Sequence, residues 1–178
     1  MSIDVDEGVA FSVGAAEWVG NKTISTSALS AALATKIGKI GERADMDRLT
    51  DGLKSARDLF LQNGCLDVGF SPTLRLDRTA RIVTYHVEIS EGEQYAMGAL
   101  TTERLSDPAA AHIIKAWPLK NGAPFDLLAA RGFPTKATQG GLVPAGLTLQ
   151  VQMTPSAETH VVDVKIIATP KPGRSPIS

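Results

Sequence analysis

The 178-residue chain has one cysteine, Cys65, so neither an internal disulfide nor a cysteine-rich metal site can form. It has no charge bias. Its 18 basic and 19 acidic residues leave a net charge of −1, which offers no field to draw nucleic acid or an anionic membrane as a main partner. No apolar run approaches the ~18 residues that a membrane-spanning helix needs. The three histidines, His86, His112 and His160, are dispersed and lack the i, i+4 pairing of a helical zinc site. Gly69-x-Ser71-x-Thr73 lacks the second glycine of a nucleophile elbow, and Gly38-Lys39 has no phosphate loop around it. Asp4-x-Asp6 reads as terminal charge and Asp45-x-Asp47 as helix capping rather than as metal ligands. These residues make no catalytic case, and no metal or cofactor is expected. The acidic start, Met1 to Asp6, lacks the basic and apolar regions of a signal peptide, so either a cytosolic chain or one whose leader has been removed fits.

What the chain does have is a repeat. Glu7-Gly8-x-x-Phe11-x-x-Gly14 returns as Glu91-Gly92-x-x-Tyr95-x-x-Gly98, displaced by 84 residues (91 against 7). Four matched positions at that spacing imply two small modules in tandem. The expected division is 4–91 for the first module, 92–170 for a divergent second, and 171–178 for a proline-rich tail.

In the first module, Val9, Phe11 and Val13 alternate as in a half-buried strand, and Gly20-Asn21 ends it. Leu29, Leu33 and Ile37 form one helical stripe. A second stripe runs through Leu49, Leu53, Ala56 and Phe60, capped by Asp45 or Asp47 and stopped at Asn63-Gly64. Leu66, Val68, Phe70, Leu74 and Leu76 then share one strand face with Pro72 between them, and Val83, Tyr85, Val87 and Ile89 alternate along a return strand. A proline gives no N–H to a ladder, so 66–76 is expected to lie at a sheet edge or to contain a bulge. The order is β-α-α-β-β.

The second module repeats that order with Tyr95, Met97 and Ala99 in its first strand and Asp107-Pro108 as N-cap and N1 of a helix. Its next helix reads as truncated, from Leu127 to Arg131, because Gly132 and Pro134 follow. Irregular chain over 132–146 then leads to strands through Leu147–Met153 and Val162–Ile166. The fold class expected is α+β: two modules, each a three-stranded mixed sheet covered by helices, the second with a shortened second helix.

This pattern resembles the POTRA domain, the periplasmic module that precedes the barrel in bacterial outer-membrane assembly and secretion transporters. The resemblance rests on the Glu-Gly opening, the aromatic-x-x-Gly of the first strand and Gly20-Asn21 at its end. It continues through Asp47-Arg48-Leu49, Phe60-x-x-x-Gly64, the 66–89 hairpin, and Gly122-x-Pro124-Phe125-Asp126. The second module departs from it, with Glu103-Arg104-Leu105 in place of the Gly-Asn turn. The resemblance implies a periplasmic or outer-membrane-associated, non-enzymatic module. It would bind protein partners, either unfolded outer-membrane polypeptides or assembly-machinery subunits, by strand addition. The edge so implied is Asp67, Val68, Gly69, Phe70, Ser71, Thr73 and Arg75, with a second-module edge at Thr148, Leu149, Gln150, Val151 and Gln152 and an inter-module joint at Glu91 and Gly92. It also implies a groove between this strand and a helix, with Phe70 and Leu74 in the core. Pro72 has an opposite reading, as protection of the edge from pairing. A second role, that of a structural spacer, stands beside client binding.

Overall fold

The computed structural model describes residues 10–37 and 40–171. The sequence readings on Asp4, Asp6, Glu7, Gly8, Val9, Gly38, Lys39 and the tail beyond Lys171 lie outside those residues. Two compact units are formed. One takes the chain up to Phe60 together with Asp67–Gly92; the other takes Leu61–Leu66 and the chain from Glu93 onward.

The first unit contains β1 (Ser12–Val19), α1 (Thr26–Ile37), α2 (Met46–Gln62), β2 (Gly69–Asp77) and β3 (Ile82–Ser90). The second contains β4 (Ala96–Glu103), α3 (Asp107–Ala116), α4 (Leu127–Gln139), β5 (Leu147–Ser156) and β6 (Val161–Pro170). The last two residues of α2 group with the second unit. The sheets have the same topology. β3 lies between a parallel β1 and an antiparallel β2, and β6 lies between a parallel β4 and an antiparallel β5. Each module is therefore a mixed sheet in which the first and second strands of the chain are both edges, as the β-α-α-β-β order required.

The repeated glycine has a structural purpose. The β1–β3 register slips between Val13 and Ala16, and the β4–β6 register slips between Met97 and Leu100. Gly14 and Gly98 sit inside these bulges, where a Cβ on Gly14 would fall 2.5 Å from Ile82 Cγ2 and one on Gly98 would meet Val161 and Asp163. Only glycine lets the parallel strands approach there. The slip also shifts the face pattern, so Ala99, read as a core position, is exposed, while Leu100 is half-buried. Beside each bulge the chain entering the second helix of the module pairs with the first strand. Val13 N–H donates to Glu42 at 2.7 Å and Met97 N–H to Ala123 at 2.8 Å.

Capping follows local chemistry. Asp45 accepts from the N–H groups of Asp47 (2.8 Å) and Arg48 (3.2 Å), which identifies it as the cap of α2. Ser25 caps α1 through Ala28 N–H, and Asp126 caps α4 through Ala129 N–H at 2.8 Å. The N-cap of α3 is Ser106, not Asp107, so Asp107 and Pro108 fill the first two helical positions.

α4 corrects the expected end at Arg131. It is shorter than α2, 13 residues against 17, yet it runs through Gly132 and Pro134 to Gln139. A proline inside a helix costs about 3 kcal/mol. Burial of Ala130, Phe133 and Ala137 against the second core offsets that cost, with the Phe133 ring edge-on to Trp117 at 4.9 Å. Helical periodicity in the packing overrides the local breakers.

Candidate functional site: the exposed edge of β2 and the groove beside it

The face of the first sheet that carries helices buries Val83, Tyr85, Val87 and Ile89 of β3 and Leu29, Leu33, Leu49, Ala56 and Phe60 of the helices. β2 behaves differently. The resemblance implies Phe70 and Leu74 in the core, but Leu74 is 43% exposed, as Leu76 is 50%, and only Phe70 is half-buried, edge-on to Phe60 and Trp18. Leu66 precedes the strand and packs on the second unit's core. The correction has a plain cause. The stripe of α2 that turns inward is narrow, and the α2 residues facing β2 are Thr50, Leu53, Lys54 and Arg57. They face Val68, Gly69 and Phe70, while beside Leu74 and Leu76 lie Phe11, Arg43, Ala44, Asp45 and Met46, which leave both leucines partly exposed.

A groove results between α2 and β2. Near Phe70 it holds a cavity of about 270 Å³ lined by Thr50, Leu53, Lys54, Arg57, Val68 and Gly69. Near the start of α2 it holds another, of about 260 Å³, walled by Phe11, Ala44, Met46, Leu74, Leu76 and Val83, with Ala10, Arg43, Asp45 and Tyr85 also in its lining. The Tyr85 hydroxyl is buried and has no hydrogen-bond partner among the described residues. Burial, and secondarily the Asp45 carboxylate, push its phenol above the ordinary tyrosine range, so the hydroxyl keeps its proton at neutral pH.

Pro72 sets the polarity of the edge. The ladder from Gly69–Ser90 to Asp77–Ile82 runs without a shift and places Pro72 opposite Val87. A proline fits there because its nitrogen faces away from β3; alternation then turns the N–H groups of Phe70, Leu74 and Leu76 outward as well. The same edge therefore presents apolar side chains toward the groove and turns three backbone donors away from β3.

The other sequence-predicted residues fall around this site. Val68 is buried in the floor of the groove and Gly69 lies at its rim. Ser71, Thr73 and Arg75 alternate onto the opposite, open face of the sheet, where Arg75 Nη1 and His86 Nδ1 each lie 3.2 Å from Glu17 Oε2. Asp67 precedes β2 and abuts Gly92. Glu91 serves its own module: its carboxylate accepts from Lys22 N–H, from Thr23 N–H at 2.9 Å and from the Thr23 hydroxyl at 2.7 Å. Burial alone would raise its pKa, but these donors outweigh it and hold the carboxyl below the usual glutamate range. In the second module, Thr148 bonds the Thr169 hydroxyl at 2.9 Å, Leu149 is buried, Val151 is half-buried, and Gln150 and Gln152 are exposed. The depression there, of about 450 Å³, is lined by Pro134, Thr135, Thr138, Gln139, Thr148 and Leu149.

Sequence reasoning found the β2 edge through Pro72 but missed Phe11, Met46 and Tyr85 as walls of the groove. The available signal was Tyr85 itself, a polar-tipped residue in an otherwise aliphatic buried alternation. Among the described residues no three His, Cys, Asp or Glu side chains are grouped to hold a metal ion, and no helix is long and apolar enough to cross a membrane. Cys65 is buried.

No family model matches the chain, and no curated protein matches it by sequence. Solved structures do match by shape. A fragment of Haemophilus influenzae BamA comprising POTRA domains 3–5 superposes with a TM-score of 0.66 at 15% identity, over 94% of this chain and 69% of the fragment. BamA of Haemophilus ducreyi lacking POTRA domains 1–3 gives a TM-score of 0.68 at 11% identity, over 90% of this chain and 30% of that one. The two β-α-α-β-β modules thus have the POTRA-domain fold.

Proposed function

We propose that the chain is a non-enzymatic, periplasmic protein-interaction module that accepts an extended segment of a client polypeptide as an added strand along β2. The clients would be outer-membrane proteins before insertion, or subunits of the machinery that assembles them. The observation that carries this reading is the exposure of Leu74 and Leu76 on a strand edge whose backbone donors are unpaired by the sheet. Backbone pairing would supply affinity, and alternate side chains lying in the groove would supply selectivity. The fold shared with BamA POTRA domains supports the cellular setting.

Titrating the isotope-labelled chain with a peptide of alternating apolar and polar residues tests the mechanism. Amide shifts should concentrate on Gly69–Asp77 and on α2 residues facing it. Shifts confined to the helices, with β2 silent, would remove strand addition.

A structural spacer is the second reading, and the second module favours it there. There α4 packs on β5 and Leu149 is buried, so β5 at 148–152 exposes less apolar side chain beside its edge than β2 does. Solution scattering of the intact chain discriminates: a rigid pair with no peptide affinity at either edge would favour the spacer.

A further inference from the structure

The cavities along β2 share a charge sign that the chain as a whole lacks. The three that Phe70, Leu74 and Leu76 help to line also take in Arg43, Lys54, Arg57, Arg78 and Arg81, against one acid, Asp45. The whole chain carries 18 basic and 19 acidic residues. The nearby acids are committed elsewhere. Asp45 caps α2, Glu42 lies 3.8 Å from Arg48, Asp51 holds Lys54 at 2.8 Å, and Asp77 accepts from the N–H groups of Thr79 and Ala80. Arg43, Arg57, Arg78 and Arg81 are exposed and have no ion pair among the described residues. The depression beside β5 in the second module has no charged residue in its lining, so these cations are not a demand of the fold.

We infer that β2 takes an acidic client strand, whose carboxylates meet these arginines while apolar side chains between them lie over the exposed leucines. This rests on the strand-addition reading and names the client's chemistry. Phe70, Pro72, Leu74 and Leu76 alternate onto the groove side of β2, so a strand paired to its outer edge turns four side chains the same way. The cations stand at the two ends of that row. Lys54 and Arg57 lie beside Phe70, and Arg78 and Arg81 lie beside Leu76, with Arg43 in the cavity that Leu74 and Leu76 share. Six residues of strand span about 20 Å. One compact anion such as phosphate cannot meet both ends, whereas carboxylates six residues apart on an extended chain can. Each would meet a guanidinium, whose planar fork matches a carboxylate. A lysine at either end would face like charge.

The probe is a capped nonapeptide in which threonines alternate with glutamate, valine, valine and glutamate, compared with twins carrying glutamine or lysine in place of both glutamates. Each is titrated into the labelled full chain and into a variant combining Arg57→Gln, Arg78→Gln and Arg81→Gln, exposed positions whose substitution leaves the core intact. In about 0.01 M salt the parent should bind the glutamate peptide about fivefold more tightly than its glutamine twin, the yield of two solvent-exposed ion pairs. The lysine twin should bind more weakly than either. Near about 1 M salt the preference should fall below about twofold. The triple variant should lose it likewise, with its affinity for the glutamine twin unchanged. Equal affinities in the parent, or a preference that survives in the variant, would overturn the inference while β2 shifts still upheld strand addition. Equal affinities joined to cosedimentation with phosphatidylglycerol vesicles would assign the arginines to a lipid surface instead. If no peptide moved the β2 amides, strand addition and its acidic client would fall together.

Discussion

The two modules share topology, bulge and strand order, but they treat the groove beside their free strand in opposite ways. In the second, α4 lies along β5 and buries Leu149, with Leu147, Val151 and Met153 half-covered. In the first, no comparable close approach joins α2 to β2, and Leu74 and Leu76 stay open. α4 turns Ala130, Phe133 and Ala137 inward as α2 turns Leu49, Ala56 and Phe60, and both helices edge their grooves with mostly polar residues: Thr135, Thr138 and Gln139 on α4, Thr50, Lys54 and Arg57 beside Leu53 on α2. The same fold thus packs its second helix on the free strand in one module and leaves that strand's leucines exposed in the other.

Phe133→Ala should break that difference most strongly. It removes the ring that holds α4 down, costing about 3–4 kcal/mol, and thermal unfolding should show the loss in the second module, with β5 amides losing exchange protection. The strand positions sharpen the contrast next. Leu149→Ala should cost about 2–3 kcal/mol and Leu74→Ala less than about 0.5 kcal/mol, as read by denaturant midpoints; equal costs would mean that the first groove is closed in solution.

Glu91→Gln should cost about 1 kcal/mol, a charge-assisted bond discounted for its solvent exposure. Because the folded pKa is lowered, this stabilisation is fully present above the ordinary glutamate value of about 4.3 and is lost as pH falls through the lower folded value. The wild-type chain should therefore lose stability more steeply than Glu91→Gln below about pH 4, as followed by circular dichroism. Tyr85→Phe makes the first core more like the second. It should raise stability by about 1 kcal/mol, since an unpaired buried hydroxyl disappears, and a measurable loss instead would mean that the hydroxyl is paired in solution.

The smallest effect concerns the turn after each first strand. Gly20 takes φ 92° there, and Arg104, 84 residues later, takes φ 60°. Arg104→Gly should stabilise the second module by about 0.5–1 kcal/mol, the strain of a non-glycine left-handed residue, seen as a small rise in its unfolding midpoint.

The fold was largely legible in the sequence because its signals are local. The repeated Gly14 and Gly98 mark bulges, Gly20 and Gly64 mark turns, and period-two alternation marks β3 and β6. The end of α4 was not legible, since Gly132 and Pro134 oppose a helix locally while Phe133 and Ala137 enforce it through contacts distant in sequence. The edge character of β2 could be read from Pro72, but the openness of its groove could not. Alternation places Leu74 and Leu76 on the helix-facing side of the sheet without revealing whether a helix covers them. That depends on which face α2 turns toward β2, a matter of packing.

Pro72 also bears on pairing between two copies of the chain. Two copies of this chain meeting β2 to β2 around a twofold axis would each bring a proline to the shared ladder, and two backbone bonds would be missing. A foreign strand forfeits only one. At about 1 kcal/mol for each lost bond, pairing of this edge with its own twin is disfavoured relative to pairing with a strand that lacks proline.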